Sequence, residues 1–386
     1  MTDSSRTSLA APWKTPCLIA GLVGAAVCAA GALIQPGQFW PGYLTAFVFW
    51  LGVGLGSLGI ALLHRLTGGR WGWSVSRPLV AGAETIPVLF LLSLPLALSL
   101  PTLYAFGGDD SHSSLNAQQE LYFLLPFFFG RAALYFVVWN ILSFGVSRAY
   151  KRDREHGVTG GGARRAALGL IVFWLLASFA VFDWIMSVDP GWYSTIYGAQ
   201  HTMGFAVSAF AFAIIVRHFS GRAASEPDAR TQDLGSMLLA FNLLWVYFAF
   251  SQFFLIWSAD LPIENTWYLR RSEGLWAAAA PTLAVVHFVV PFALLLSQDV
   301  KAHSRRLAGV AALLLAARLI DLTWCIVPAY DVAGAMTAVY GLAAFIALGG
   351  LWLFVFRLRW EKLAILADPV MLPSAKRDSA DSLEAV

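Results

Sequence analysis

Six ionisable side chains interrupt otherwise apolar stretches of this sequence: Glu84, Arg131, Asp183, His287, Arg318 and Asp321. An ionised group in hydrocarbon costs several kcal/mol unless it is paired or hydrated, so each is a functional candidate. Arg318 and Asp321 are three residues apart and share a helical face, which Cys325 and Pro328 continue; they are spaced to pair. Asp183 shares its face with Ser187 in the same way. Carboxylates, guanidinium groups and an imidazole suit two kinds of chemistry. One is a proton relay, and the other is a pocket that hydrogen-bonds the oxygens of a quinone head group. Each residue also has a plainer reading. The Arg318–Asp321 pair can lock packing without doing chemistry, Asp183 can be an interfacial carboxylate reached by water, and His287 can be a hydrogen-bonded core residue.

Other chemistries find less support. A b-type haem needs a second histidine facing His287 at similar depth, but His201 falls near the outer face and His64 and His218 at cytoplasmic helix ends. Cys17, Cys28 and Cys325 form neither CxxC nor CxxCH, so neither a zinc ribbon nor a covalent haem is expected. Asp109, Asp110 and His112 cluster in the segment 101–120, yet a metal site needs three or four convergent ligands. That segment reads as a solvated loop, and no metal is expected. No nucleotide loop or dinucleotide fingerprint is present, and no nucleic-acid partner is implied.

The elements that position these groups follow from composition. The chain has 386 residues, 58% of them hydrophobic and 13% charged, against about 25% charged in soluble domains. A bilayer core takes about 20 apolar residues per helix. Ten segments meet that length, near 17–34, 43–63, 79–100, 121–147, 166–188, 199–216, 234–258, 274–297, 307–327 and 334–356. The expected fold is all-α and polytopic. Its cytoplasmic segment 1–16 leads into a retained first helix, the membrane domain covers 17–358, and the polar tail 359–386 is expected to be disordered. Gly52, Gly56 and Gly59 fall on one side of the second helix and suit close helix contact. Of 26 basic residues, 22 fall in six regions on one side of the membrane, which makes both termini cytoplasmic. On this topology Glu84 lies towards the cytoplasmic side, Arg131 and His287 near the midplane, and Arg318 slightly beyond it. Asp321 lies in the outer third and Asp183 near the outer face.

Five stretches carry a resemblance to a known family: "LTGGRWGWSVSRPLVAGAETIP", "PFFFGRAALYFVVWNIL", "FDWIMSVDPGWYSTIYG", "DLGSMLLAFNLLWVYFAFSQFFLIWSADLPIENTWYLRR" and "ARLIDLTWCIVP". Together they resemble the ActF membrane component of bacterial alternative complex III, a quinol:cytochrome c oxidoreductase, within the NrfD/polysulfide-reductase group of membrane subunits. The segment "DLPIE" departs from that family's usual Asn-Ile-Pro-Glu-Glu, and the loop 101–120 is shorter and less aromatic than usual. The resemblance implies ten helices, with helices 2–5 (about 43–188) and 6–9 (about 199–327) as two four-helix bundles and helices 1 and 10 peripheral. It implies a subunit of the bacterial inner membrane that supports menaquinol or other quinol oxidation and proton transfer without a redox centre of its own. Haem and iron–sulfur clusters would sit in partner subunits: a related quinol-binding membrane subunit, an iron–sulfur subunit and c-type haem subunits, with a terminal oxidase as a further candidate partner. Glu84, Arg131, Asp183 and Asp321 match the family's motifs, and the resemblance gives them proton conduction or a second quinone-type pocket.

Two alternatives stand beside this reading. A proton-coupled secondary transporter fits ten helices with charges near the midplane, and "AETIPVLFLLSLPLALSLP" has the proline-interrupted form that transporters use. A membrane scaffold fits if the buried charges only lock packing. Finally, "DWIMSVDP" and "DLTWCIVP" both read Asp-x6-Pro, four helices apart. If helices 2–5 and 6–9 are related units, Asp183 and Asp321 correspond and lie at similar depth.

Overall fold

The computed structural model describes residues 14–107, 117–156, 162–220, 229–330 and 335–365. Within them the chain is helical and contains no strand. Among the described residues ten helices are long and apolar enough to cross a membrane, so the chain is built as a multi-pass membrane protein. They are α1 (Thr15–Ile34), α2 (Pro36–Thr67), α3 (Arg70–Leu103), α4 (Leu125–Glu155), α5 (Ala163–Val188), α6 (Thr195–Phe219), α7 (Ala229–Ala259), α8 (Gly274–Leu296), α9 (Ser304–Ala329) and α10 (Met336–Leu363). Most run several residues past the apolar segment that marks them in the sequence, because helix hydrogen bonding continues into the polar ends. The last helical segment reaches Ile365, well past the expected limit at 358. Asp109, Asp110, His112, residues 1–13 and the tail from 366 lie outside the described residues.

The core forms around α2, which is buried along almost its whole length. It packs against α3, α5, α6, α9 and α10, while α6 also packs against α5, α7 and α9. α1 and α10 lie against each other, and α10 also covers α2 and α3. The expected glycine face of α2 is a contact face. A Cβ on Gly52 would meet the Phe205 ring, and one on Gly59 would meet the Phe173 ring. At Gly56 a Cβ would lie 1.9 Å from the Phe205 carbonyl oxygen, so α2 and α6 cross there at backbone distance.

Two spans are interrupted, and proline explains both. In α3 the helix breaks at Glu84–Thr85 and resumes at Ile86–Ser93. Pro87 has no N–H to give the Ala83 carbonyl, four residues back. Ser143 of α4 supplies the missing donor, Oγ to Ala83 O at 2.8 Å. In α8 the residues Ala284–Val289 form a π-helical turn. Pro291 deprives the His287 carbonyl of its donor in the same way, and Asn242 of α7 provides it, Nδ2 to His287 O at 3.0 Å. In a pairing of helices 2–5 with 6–9, α3 would correspond to α7, which is continuous from Ala229 to Ala259.

Candidate functional site

The six candidate side chains do not form one graded series through the membrane; the structure sorts them into separate places. Asp183 and Arg131 meet directly. Arg131 Nε donates to Asp183 Oδ2 at 2.9 Å and Nη2 to Oδ1 at 3.0 Å. Tyr135, one turn along α4 from Arg131, donates its hydroxyl to Oδ2 at 2.7 Å. The third donor of Arg131, Nη1, reaches the Tyr122 carbonyl at 2.7 Å, and the guanidinium lies 3.8 Å from the Tyr122 ring centre. Asp183 is 1% exposed, so it is a buried ion-paired carboxylate and not one reached by surface water. Ser187 bonds the main-chain oxygen of Asp183, not its carboxylate.

This contact corrects the expected depths, which put Arg131 near the midplane and Asp183 near the outer face. α4 starts at Leu125 and continues to Glu155. Arg131 therefore lies only about 9 Å from the start of its helix at ~1.5 Å per residue, beside the last turns of α5.

Glu84 is not a neighbour of Arg131. Ser147 Oγ donates to its Oε1, and Lys151 Nζ lies 3.5 Å away. Both partners sit further along α4 at the basic end, Ser147 about 24 Å from Arg131 along the helix axis. The break caused by Pro87 aims Glu84 at α4 one turn beyond the Ser143 contact, and its Oε2 is buried without a hydrogen-bond partner.

The second cluster surrounds Arg318 and Asp321. They pair as expected, Nη1 to Oδ2, and both are at most 2% exposed. A third member comes from α6: His201 Nδ1 lies 3.0 Å from Arg318 Nη2. His201 is fully buried; α6 starts at Thr195, so the ring lies about 9 Å along its helix at ~1.5 Å per residue, the same offset as Arg131 on α4. Gly204, three residues on, makes room for the guanidinium, since a Cβ there would lie 2.4 Å from Arg318 Cζ. Cys325 continues the face as expected, its thiol 3.9 Å from Asp321 Oδ1. His201 had no signal of its own, but a glycine one turn along the same helix face marks a place where something bulky arrives.

Asp321 also lines a cavity of about 1190 Å³ between α7, α8, α9 and the short helix Pro262–Arg270. Gln200, Trp245, Gln252, Tyr268 and Trp324 share the wall with it. Gln252 Nε2 donates to the Tyr268 hydroxyl at 3.3 Å, which leaves the phenol proton free to point elsewhere. Burial pushes the Tyr268 phenol up to about 12, so it stays protonated at physiological pH. The rim residues Tyr247, Phe250 and Trp257 are each more than 60% exposed on the flank of the helix bundle. His287 backs this wall through Trp245, ring centres 3.7 Å apart. Its two ring nitrogens, His201 Nε2, Arg318 Nε and the Gln200 and Gln252 side-chain oxygens are buried without protein partners. Buried polar atoms in such numbers normally bond to water or ligand.

The sequence reading missed a third buried charge cluster, in which Asp189 follows α5 and accepts from both Arg270 and Arg271. Arg271 is fully buried. It donates to Asp189 Oδ2 at 2.9 Å, to the Trp324 and Cys325 carbonyls at 3.1 and 2.7 Å, and to Trp267 O at 3.0 Å. One side chain thus ties the end of α5, the helix Pro262–Arg270 and the end of α9. The available signal was that Arg270 and Arg271 are the only basic residues in the loops of the basic-poor side. Each Asp-x6-Pro helix ends in a 3₁₀ turn, Met186–Val188 and Val327–Ala329. The arginine partners differ in origin, however: Arg131 comes from the neighbouring helix and Arg318 from the same one.

No family model matches the chain, and no curated protein matches it.

Proposed function

We propose that the chain is an integral membrane subunit of a quinol-oxidising respiratory complex, without a redox centre of its own. The cavity beside Asp321 carries this reading. A quinol head group needs hydrogen-bonding partners for its two oxygens and a proton acceptor, and its tail needs an apolar way out to the lipid. Tyr268, Gln252 and Asp321 offer the first, and the aromatic flank of Tyr247, Phe250 and Trp257 the second. The volume of about 1190 Å³ exceeds that of common small-molecule pockets, roughly 300–1,000 Å³, as a tailed ligand requires.

Oxidation of a quinol to a quinone releases two electrons and two protons. The electrons pass to haem or iron–sulfur centres of partner subunits at the basic-poor face. Asp321 takes a proton from the quinol hydroxyl, and Arg318 and His201 hold the charge that makes it an acceptor. The unpartnered polar atoms of His201, His287 and Gln200 line the onward route. In this reading the chain lies in a bacterial inner membrane, helices 2–5 and 6–9 are two four-helix bundles that meet where α2 packs on α6, and the basic bias supports cytoplasmic termini.

The test is Asp321→Asn in the intact complex. Quinol turnover is expected to fall at least tenfold while assembly and the haem absorption bands persist. Unchanged turnover and proton yield overturn the role. A second reading, a proton-coupled transporter, draws on the interrupted spans α3 and α8, although the two do not occupy corresponding positions in the 2–5/6–9 pairing. Under that reading the purified chain is colourless and self-sufficient; under ours it co-purifies with haem- and iron–sulfur-bearing subunits.

A further inference from the structure

A second cavity, of about 380 Å³, lies at the basic end of the bundle between α2, α3 and α4. Its inner wall is apolar (Leu79, Val80, Val146), and its outer wall is formed by Arg65, Gly68, Gly69, Arg70 and Tyr150. The chemistry of that outer wall suits an anion. Gly68 and Gly69 hold φ of +70° and +98°, in the left-handed region that favours glycine, so the loop presents bare backbone. Gly69 is the N-cap of the helix Arg70–Ala83, and no side chain caps it. The first N–H groups of that helix therefore lack intrahelical acceptors and add the positive end of the helix dipole.

The turn is fixed in place. His64 Nε2 lies 3.1 Å from the Gly69 carbonyl oxygen, and the His64 ring lies so close to Gly72 that a Cβ there would come within 2.0 Å of it.

The charges around the cavity leave an excess of cation. Among the described residues Asp153 is the one carboxylate in the wall, and Arg65 neutralises it at 2.8 Å, with Arg152 at 3.5 Å. Arg70 is exposed at the mouth and has no ion-pair or hydrogen-bond partner among the described residues. Independently, Tyr150 is 5% exposed, lines the cavity, and has a hydroxyl with no hydrogen-bond partner. A buried phenol without an acceptor is costly unless a ligand or water takes its proton.

We propose that this cavity binds a phosphate group, through the N-terminal amides of α3, the Arg70 guanidinium and the Tyr150 hydroxyl. The carrier is either an anionic phospholipid head group, whose glycerol would meet the apolar wall, or a soluble phosphate.

Native mass spectrometry of the delipidated full-length protein in detergent separates these. The probes are phosphatidylglycerol, a diacylglycerol with the same acyl chains, and inorganic phosphate. Phosphatidylglycerol is expected to bind and diacylglycerol not. Arg70→Gln weakens binding about tenfold, the loss of a charge-assisted hydrogen bond. Tyr150→Phe weakens it about fivefold, the loss of a neutral one. Neither variant lowers the ligand-free unfolding temperature of the parent, which separates lost binding from lost folding. If inorganic phosphate binds with the same sensitivity and phosphatidylglycerol does not, the site stands and its ligand is soluble. Equal binding of diacylglycerol, no binding of either phosphate probe, or full affinity in both variants overturns the proposal.

Discussion

At the scale of single residues, the buried arginines decide how much charge this protein can hold inside. Arg131 uses three of its five donors on Asp183 and the Tyr122 carbonyl, and stacks on the Tyr122 ring. A lysine offers one ammonium and cannot span that set. Removing one member of a buried pair leaves the other charge unmatched, at a cost of about 3–5 kcal/mol. Because the Arg131 side chain keeps 21% of its exposure, the lower end of that range applies. Asp183→Asn is thus expected to cost about 3 kcal/mol in unfolding measurements in detergent. Combining it with Arg131→Met, which removes the orphaned charge, recovers much of that loss. A single Asp183→Asn variant as stable as the parent would show that the pair does not hold the helices together. The pairing itself was only half legible. Arg318 and Asp321 are near in sequence and could be matched by helical spacing. Asp183 and Arg131 are 52 residues apart, and their match depended on where α4 begins, which hydropathy locates only to within a turn.

At the scale of elements, the two interrupted spans show one solution used twice. A proline frees a carbonyl four residues back, and a polar side chain of the adjacent helix takes over as donor: Ser143 for Ala83, Asn242 for His287. The prolines were visible in the sequence; the donors were not, because Ser143 and Asn242 look like isolated polar residues until the neighbouring helix is in place. The consequence is a coupling between donor and proline. Asn242→Leu leaves the His287 carbonyl buried without a donor and is expected to cost about 1–3 kcal/mol. In a Pro291→Ala background the backbone N–H restored at that position can reach the carbonyl. The same Asn242→Leu change then costs less, by at least about 1 kcal/mol on the scale of one hydrogen bond. A thermal-unfolding double-mutant cycle reads this directly. Additive effects would mean that Asn242 stabilises α8 by some other means. The π-turn at Ala284–Val289 that holds His287 against Trp245 is expected to revert to α-helix in Pro291→Ala.

At the scale of the whole molecule, charge is arranged by face. Ten spans follow from apolar length alone, and the structure contains all ten; their mutual packing, with α2 at the centre, did not follow, because lipid-facing and protein-facing apolar residues read alike. Outside the spans, the basic-poor face holds only Arg270 and Arg271. Both are consumed by Asp189, and Arg271 also binds two carbonyls at the end of α9. That face therefore offers only two loop cations to hold it back during insertion, whereas the regions of the opposite face carry 22. Loop charge sets orientation, so both termini are expected in the cytoplasm. A fluorescent protein fused after Val386 is expected to be bright, and alkaline phosphatase fused there inactive. Phosphatase inserted between Glu273 and Gly274, after the buried pair, is expected to be active. Adding three lysines beside Glu273 should lower that activity by retaining the loop, without altering the fluorescence of the C-terminal fusion in cells that still insert the remaining helices. Active phosphatase at the C-terminus would reverse the orientation and move Asp321, its cavity and any electron acceptor to the opposite side from the one proposed.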